Sequence, residues 1–286
     1  MPNRTGSQTE DAMPRFSDYL KLWAEGQPAQ VAYVYNNHYT NYAKFWSEAK
    51  HFAKYLLKIG VKKGDRLAYI MTPRPELLTF YLASTMVGAV MVEININSRA
   101  AEMAYTLNNS GSNHILTIYE FDDVKYQDRL TEAFKQAPSI EQVWVAGGRA
   151  ELLNAIPYAE IMNGDYSEYD LALQNRINDI EPDDGLIIVY TSDASGQPEG
   201  TLLTHRDVIA QGLITKDEWL APAGIQPGDH ILLAGSLNHA GSTAEIYAAP
   251  MLAGCTQYLL EKYDPMTTPK LIEKYRIDLM PGQTIM

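Results

Sequence analysis

The 286-residue sequence has little cysteine and comparatively little positive charge. Its single cysteine, Cys255, cannot form an internal disulfide, which is typical of a reducing compartment such as the cytoplasm. Asp and Glu number 35 against 23 Lys and Arg, so the net charge is -12. An acidic surface repels phosphate backbones, which argues against general nucleic-acid binding. We therefore expect a cytoplasmic protein that does not bind nucleic acid.

Long apolar runs and several familiar motifs are also missing. No apolar stretch reaches the ~18 residues that a membrane-spanning helix needs. Residues 1–15 are polar and lack the apolar core of a signal peptide, so we interpret them as a loose leader. None of the six histidines has the H-E-x-x-H spacing, and no metal ligand is predicted. The Walker A, G-x-G-x-x-G and G-x-S-x-G motifs do not occur, which removes support for P-loop, dinucleotide-binding and serine-hydrolase classes.

Short apolar segments alternate with helical patterns along most of the chain. Residues 67–71 and 89–92 are apolar runs, and residues 76–87 between them have the length of a helix. This alternation predicts βαβ units, parallel sheets and an α/β fold. An acidic stretch at residues 181–184 favours a division into a first α/β subdomain, 16–180, and a second, 181–286.

A loop of small and hydroxyl-bearing residues follows the apolar run at 186–190. It reads T-S-D-A-S-G-Q-P-E-G over residues 191–200, and Thr204 then begins a predicted helix. A strand, such a loop and a helix form anion sites in α/β folds, because backbone N–H groups and hydroxyls converge there. On spacing alone, an ordinary surface loop is the simpler interpretation.

The same stretch resembles the signature loop of the acyl-adenylate-forming superfamily, Y-T-S-G-T-T-G-x-P-K-G followed by T-H. The positions that match in register are Tyr190, Thr191, Ser192, Gly196, Pro198, Gly200, Thr204 and His205. Further resemblances follow in order, including G-V-K-K-G-D-R at 60–66 and S-L-N-H-A-G at 236–241. They cover roughly residues 16–286. The chain is thus similar to the N-terminal portion of an AMP-forming acyl-CoA synthetase of the long-chain fatty-acid–CoA ligase kind.

The resemblance implies a reaction and its cofactors. A carboxylate, here a fatty acid, would react with ATP and Mg²⁺ to give an acyl-adenylate, and coenzyme A would then displace AMP. The resemblance assigns the phosphates to one loop, formed by Thr191, Ser192, Asp193, Ala194, Ser195, Gly196 and Glu199. It places His239 near the acyl pocket, whereas His205 at the helix start is interpreted as structural. The resemblance assigns no catalytic residue within this chain. The oligomeric state is left open, with a homodimer as one alternative.

Three loop positions depart from the family pattern. Asp193 stands in place of glycine, Ala194 in place of threonine and Glu199 in place of lysine. A carboxylate ~5 Å from a phosphate charge repels it by about 3 kcal/mol at an effective dielectric near 20. Either Mg²⁺ bridges these carboxylates to the triphosphate, or the loop has lost efficient use of ATP.

The length of the chain is a further departure from the family. The family's Y-G-x-T-E motif does not occur in the 286 residues. We therefore interpret the chain as a fragment that does not complete the reaction. The alternative is a non-catalytic homologue that acts as a binding or interaction module.

Overall fold

The computed structural model describes residues 15–148, 152, 155–192, 198–234 and 246–281, with the backbone only at 191 and 192. The described part contains two main β-sheets with helices packed on them. The larger sheet has the order β11-β10-β4-β3-β5-β8-β9. Its strands are β3 Arg66–Ile70, β4 Val90–Glu93, β5 His114–Ile118, β8 Gln142–Ala146, β9 Ala155–Pro157, β10 Gly185–Ser192 and β11 Pro198–Thr204. Every neighbouring pair is parallel except β10 and β11.

The smaller sheet has the order β12-β13-β1-β2. Its strands are β1 Val31–Tyr35, β2 His38–Asn41, β12 His230–Ala234 and β13 Thr256–Leu260. Strands β12, β13 and β1 run parallel, and β2 returns antiparallel to β1. A separate two-stranded ribbon is formed by β6 Glu120–Phe121 and β7 Val124–Lys125. Parallel sheets with helical crossovers confirm the α/β fold class predicted from the alternating pattern.

The helices connect the strands and cover the sheets. They are α1 Phe16–Gly26, α2 Tyr42–Lys58, α3 Pro75–Val87, α4 Ala100–Ser110, α5 Tyr126–Gln136, α6 Tyr158–Met162, α7 Asp170–Asn178, α8 His205–Thr215, α9 Ala249–Leu252 and α10 Thr268–Tyr275. A 3₁₀ turn, Ser167–Tyr169, precedes α7, and a π-helix, Lys216–Leu220, continues α8. None of the described helices is long and apolar enough to cross a membrane.

Helix α3 lies at the centre of the core. Its residues from Leu77 to Val87 are all buried, as expected for a helix that is apolar on every side. Helix α2 packs beside it and presents Phe52 to Trp144 of β8, with the two ring centroids 5.6 Å apart. The indole N–H of Trp144 donates a hydrogen bond to the Tyr55 hydroxyl at 3.1 Å. The large sheet and α2–α3 therefore share one aromatic core.

The sequence analysis missed five strands, β2, β6, β7, β9 and β11. Strand β2 forms because Asn36 and Asn37 adopt positive φ values, 49° and 64°, and turn the chain back onto β1. Thr40 lies in β2, and Asn41 caps α2 by accepting a 2.8 Å hydrogen bond from the Lys44 N–H.

Both sheets draw strands from either side of residue 181. Strands β10 and β11 belong to the larger sheet, whereas β1 and β2 pair with β13 in the smaller one. Sheet membership therefore does not follow the boundary between 16–180 and 181–286, which stays a prediction. Residues 1–14 of the predicted leader lie outside the described residues. Arg15, its last residue, pairs with Asp18 at 2.8 Å and donates to the Ile177 carbonyl.

Candidate functional site

A β-hairpin frames the loop that the sequence analysis singled out. Strand β10 ends at Ser192, which is in register with Pro198 at the start of β11. Residues 193–197, which connect the two strands in sequence, lie outside the described residues. This arrangement corrects the expected order of strand, loop and helix, because a seven-residue strand intervenes before α8. The N-terminus of α8 is thus separated from the loop in sequence, and anion binding there would depend on N–H groups of the hairpin loop itself.

The predicted loop residues divide into two groups. Asp193, Ala194, Ser195 and Gly196 lie outside the described residues, and so does His239. The backbones of Thr191 and Ser192 belong to the last two positions of β10. Glu199 is in β11, opposite Thr191, and its side chain is exposed.

Helix α4 anchors both strands at the base of the loop. The Tyr105 hydroxyl donates a 3.1 Å hydrogen bond to the carbonyl oxygen of Pro198, the first residue of β11. The Tyr190 hydroxyl in β10 donates to Asn109 Oδ1 at 2.7 Å. Two side chains one helical turn apart on α4 therefore hold the two strands that flank the loop.

Gly200 lets the hairpin pack closely. A Cβ atom at this position would lie 2.9 Å from Ile188 Cγ2 and 3.0 Å from Tyr190 Cζ, both side chains of β10. Any larger residue would push the Tyr190 ring aside and disturb its bond to α4. The glycine of the sequence motif thus has a packing role in the described part of the hairpin.

The Thr204-His205 pair has a structural role in the described geometry. Thr204 caps α8, since its hydroxyl oxygen accepts from the Asp207 N–H at 3.1 Å while the Asp207 carboxylate accepts from the Thr204 N–H. His205 is fully buried, and its Nδ1 accepts a 3.2 Å hydrogen bond from the Phe16 N–H. Burial lowers the pKa of His205 to about 4, so the ring is neutral at pH 7.

A polar network that the sequence analysis missed joins the two sheets. Glu261, directly after β13, accepts hydrogen bonds from Arg74 Nε at 2.5 Å and from the Thr72 hydroxyl at 2.6 Å. The Tyr35 hydroxyl at the end of β1 also donates to it. Arg74 and Thr72 follow β3 of the larger sheet, so this carboxylate connects the carboxyl ends of strands from both sheets. A single charged residue after a strand does not indicate, from the sequence alone, which distant residues it will bind.

The second missed feature is a buried glutamate at the end of β4. Glu93 is 6 % exposed, and its Oε2 has no hydrogen-bond partner among the described residues. Burial raises the pKa of this carboxyl well above its usual value, with a smaller opposing effect from Tyr69. Across the described ranges, no three His, Cys, Asp or Glu side chains are grouped so that they could hold a metal ion.

Comparison with known proteins assigns the chain to a family. The sequence model of the family described as AMP-binding enzyme matches residues 20–285. The chain belongs to the AMP-binding enzyme family. The resemblance stated from the signature loop is thereby confirmed.

Two curated relatives are named as CoA ligases. The medium-chain fatty-acid–CoA ligase of Escherichia coli (strain K12) is 25% identical over 272 residues, which cover 94% of this chain and 46% of that protein. The 3-hydroxybenzoate–CoA/4-hydroxybenzoate–CoA ligase of Thauera aromatica is 23% identical, over 82% of this chain and 42% of its own length. The chain thus spans about half the length of the curated relatives that it matches.

A solved structure has the same fold. The inhibitor-bound N-terminal domain of FACL13 from Mycobacterium tuberculosis superposes with a TM-score of 0.70 at 21% sequence identity. The match covers 93% of this chain and 62% of that one. The chain therefore shares the fold of this N-terminal domain.

Proposed function

We propose that this chain is the phosphate-binding part of an AMP-forming acyl-CoA ligase, which activates a carboxylate with ATP and transfers it to coenzyme A. The observation that carries the proposal is the small-residue loop at the tip of the β10–β11 hairpin, inside the stretch that matches the family. Phosphoryl chemistry of this kind depends on positioning and on neutralising charge. The anchoring of both strands by α4 supports such a positioning role.

The residues assigned to the phosphates are Thr191, Ser192, Asp193, Ala194, Ser195, Gly196 and Glu199. Mg²⁺ would be bound together with the nucleotide, and His239 would lie by the acyl group. The substrate class that we propose is a small-molecule carboxylate such as a fatty acid, in keeping with the name of the E. coli relative, a medium-chain fatty-acid–CoA ligase. We place the protein in the cytoplasm and expect no complete turnover from the 286-residue chain, since it lacks a Y-G-x-T-E motif.

The carboxylates in the loop favour a second candidate, a homologue that binds partners without catalysis. Glu199 is exposed on β11 next to the loop, where its charge would repel a triphosphate. With one carboxylate ~5 Å from a phosphate charge, the repulsion of about 3 kcal/mol corresponds to roughly a hundredfold in affinity. An ATP affinity far weaker than millimolar would support this candidate.

Calorimetric titration with ATP, with and without Mg²⁺, tests the two candidates. We expect the double variant Asp193→Gly with Glu199→Lys to bind ATP on the order of a hundredfold more tightly than the unchanged chain. A matched control, Asp123→Gly with Glu132→Lys, makes the same charge change at exposed positions of the β6–β7 turn and α5. Unchanged or weaker binding by the loop variant would contradict the repulsion argument and favour a bridging Mg²⁺.

A further inference from the structure

Four buried side chains with polar ends are grouped at the carboxyl end of the larger sheet, where each is close enough to influence the pKa of a neighbour. Tyr69 and Glu93 are register partners on β3 and β4, and Tyr81 belongs to α3, which packs on this face. Tyr247 lies in the helical turn that precedes α9. None of the four is more than 6 % exposed. We call this group the buried tyrosine–glutamate cluster.

Three oxygens of the cluster have unmet hydrogen-bonding capacity. Glu93 Oε2 and the hydroxyls of Tyr81 and Tyr247 are without a partner in the part of the chain that the structure describes. The Tyr81 and Tyr247 rings meet edge to face, with centroids 4.7 Å apart, which holds both phenols in one place. An unmet buried polar group is destabilising, so three of them in one cluster favour a guest that satisfies them.

The cluster favours a neutral guest. No Lys or Arg of the described residues forms an ion pair with Glu93. Burial raises the pKa of Glu93 well above its usual value, and burial together with the nearby Glu93 charge raises the pKa of Tyr69. Burial thus favours the protonated form of the Glu93 carboxyl, which, like the two phenols, can both donate and accept hydrogen bonds. The chemistry therefore matches a hydroxyl group better than an ammonium or a carboxylate.

The position of the cluster relates it to the proposed site. Strand β4 pairs in parallel with β10, with Val92 beside Ile188, and β10 leads into the phosphate loop. Open α/β sheets bind ligands beyond the carboxyl ends of their strands. Tyr247 also follows His239, the residue assigned to the acyl pocket, by only eight positions in the sequence. The cluster thus includes a residue of β4, the strand beside β10 that leads into the proposed phosphate loop. It also includes Tyr247, which is close in sequence to the residue assigned to the acyl pocket.

We propose that the buried tyrosine–glutamate cluster is a subsite for a neutral hydroxyl group at the far end of the carboxylate substrate. The inference rests on the proposed function and narrows its substrate class from fatty acids in general to carboxylates with a distal hydroxyl. A hydroxyl has one hydrogen to donate and two lone pairs to accept with, which equals the three unmet oxygens in number. An alkyl end would leave all three unmet. A structural water has the same chemistry, and the experiment below separates the two.

Pairs of carboxylates that differ by one hydroxyl test the subsite. We would titrate the 286-residue chain with octanoate and 8-hydroxyoctanoate, and with benzoate and 4-hydroxybenzoate, by calorimetry at pH 7. In at least one pair, the hydroxylated member should bind about tenfold more tightly, as expected for one to two buried hydrogen bonds. Tyr81→Phe and Tyr247→Phe remove only the hydroxyls, and each should reduce that preference severalfold while leaving the affinity for the other member unchanged.

Tyr158→Phe is the matched control. Tyr158 in α6 is also buried with an unpartnered hydroxyl, but it stacks on Phe52 of α2 and does not belong to the cluster. This variant should keep the full preference. Urea denaturation of every variant checks that it is folded. At Glu93 the variant to use is Glu93→Gln, because it keeps a neutral polar end and is the smallest change to a buried side chain.

Three outcomes would overturn the inference. Equal affinities within both pairs, or a preference that survives Tyr81→Phe and Tyr247→Phe, would show that the cluster does not bind the hydroxyl. Variants that change only the stability would assign the cluster to a structural water. Absence of binding by all four carboxylates would also refute the subsite in this chain. The proposed function is judged separately by ATP titration, so ATP binding without any hydroxyl preference rejects the subsite alone.

Discussion

The N–H of Phe16 donates a hydrogen bond to Nδ1 of His205 at 3.2 Å and so joins the first helix to the start of α8. Because Nδ1 accepts, the proton of the neutral ring is on Nε2, which has no partner among the described residues. The two residues are 189 positions apart. A protonated ring would lose this acceptor and would be a buried charge, so the contact requires the neutral histidine.

We predict that His205 makes the protein less stable in mild acid. The pKa of His205 is about 4 in the folded chain, against about 6.5 when unfolded, so the unfolded state binds more protons between these values. The stability is complete above pH 6.5 and is lost as the pH falls towards 4. Urea denaturation should show that His205 lowers the free energy of unfolding by about 2 kcal/mol between pH 7.5 and pH 5. His205→Gln should remove that part of the pH dependence, whereas the exposed control His38→Gln should retain it.

The Glu261 carboxylate should be worth more to stability than an exposed ion pair. It accepts from Arg74 and two hydroxyls, and the side chains of Arg74 and Glu261 are only 16% and 20% exposed. We expect Glu261→Gln to reduce the free energy of unfolding by about 2–3 kcal/mol, between the values for surface and buried pairs. Asp183→Asn, in an ion pair whose side chains are 61% and 75% exposed, is the control and should change little. Equal effects in chemical denaturation would argue against the connecting role of Glu261.

Tyr105 should position the proposed phosphate loop without being needed for the fold. Tyr105→Phe removes the hydrogen bond to the Pro198 carbonyl, worth about 1 kcal/mol, and should weaken ATP binding about fivefold. Tyr126→Phe removes a comparable 3.0 Å bond to the Ile96 carbonyl away from the hairpin, and should leave ATP affinity unchanged. Calorimetry on both variants makes the comparison. The positioning role is refuted if the two variants bind ATP alike.

Gly254 and Gly60 should tolerate alanine differently. Gly254 has a φ of 72°, and a Cβ there would lie 2.5 Å from the ring of Trp23, whereas Gly60, at 87°, has no atom within 4 Å of such a Cβ. Alanine at Gly60 adds only backbone strain of about 1 kcal/mol. At Gly254 it adds steric overlap as well, for a total of about 2–4 kcal/mol. Thermal or urea denaturation that ranks the two variants the other way would show that Trp23 moves aside at little cost.

Much of the fold could be predicted because its elements carry local signals. Helix α3 is apolar on every side and ends at Gly88, which adopts a positive φ of 70°, so its bounds follow from the sequence. Strand β11 carries no such signal, since Pro198, Glu199 and Gly200 are poor strand formers. It forms because β10 offers a partner along its whole length. Sheet order escaped prediction for the same reason, because local pattern does not specify which strands pair.

The site was predictable only where a motif marks it. The loop at 191–200 was identified by resemblance, but the hairpin around it and its anchors Tyr105 and Asn109 depend on contacts between distant segments. Glu93 was missed because a charged residue after three apolar ones is typical of a strand that ends in solvent. It is buried opposite Tyr69 of β3, and this environment depends on which strands and helices pack together.

The pairing of β1 with β13 affects how the chain folds during its synthesis. Tyr33 and Gln257 are register partners 224 residues apart, so at ~5–20 residues per second about 10–45 seconds of synthesis separate them. During that time the β1–β2 hairpin has an open edge, and a two-stranded hairpin is only marginally stable alone. The nascent chain is therefore exposed to wrong pairing until residue 260 has left the ribosome. Faster translation, or a chaperone that covers this edge, should therefore increase the yield of folded protein.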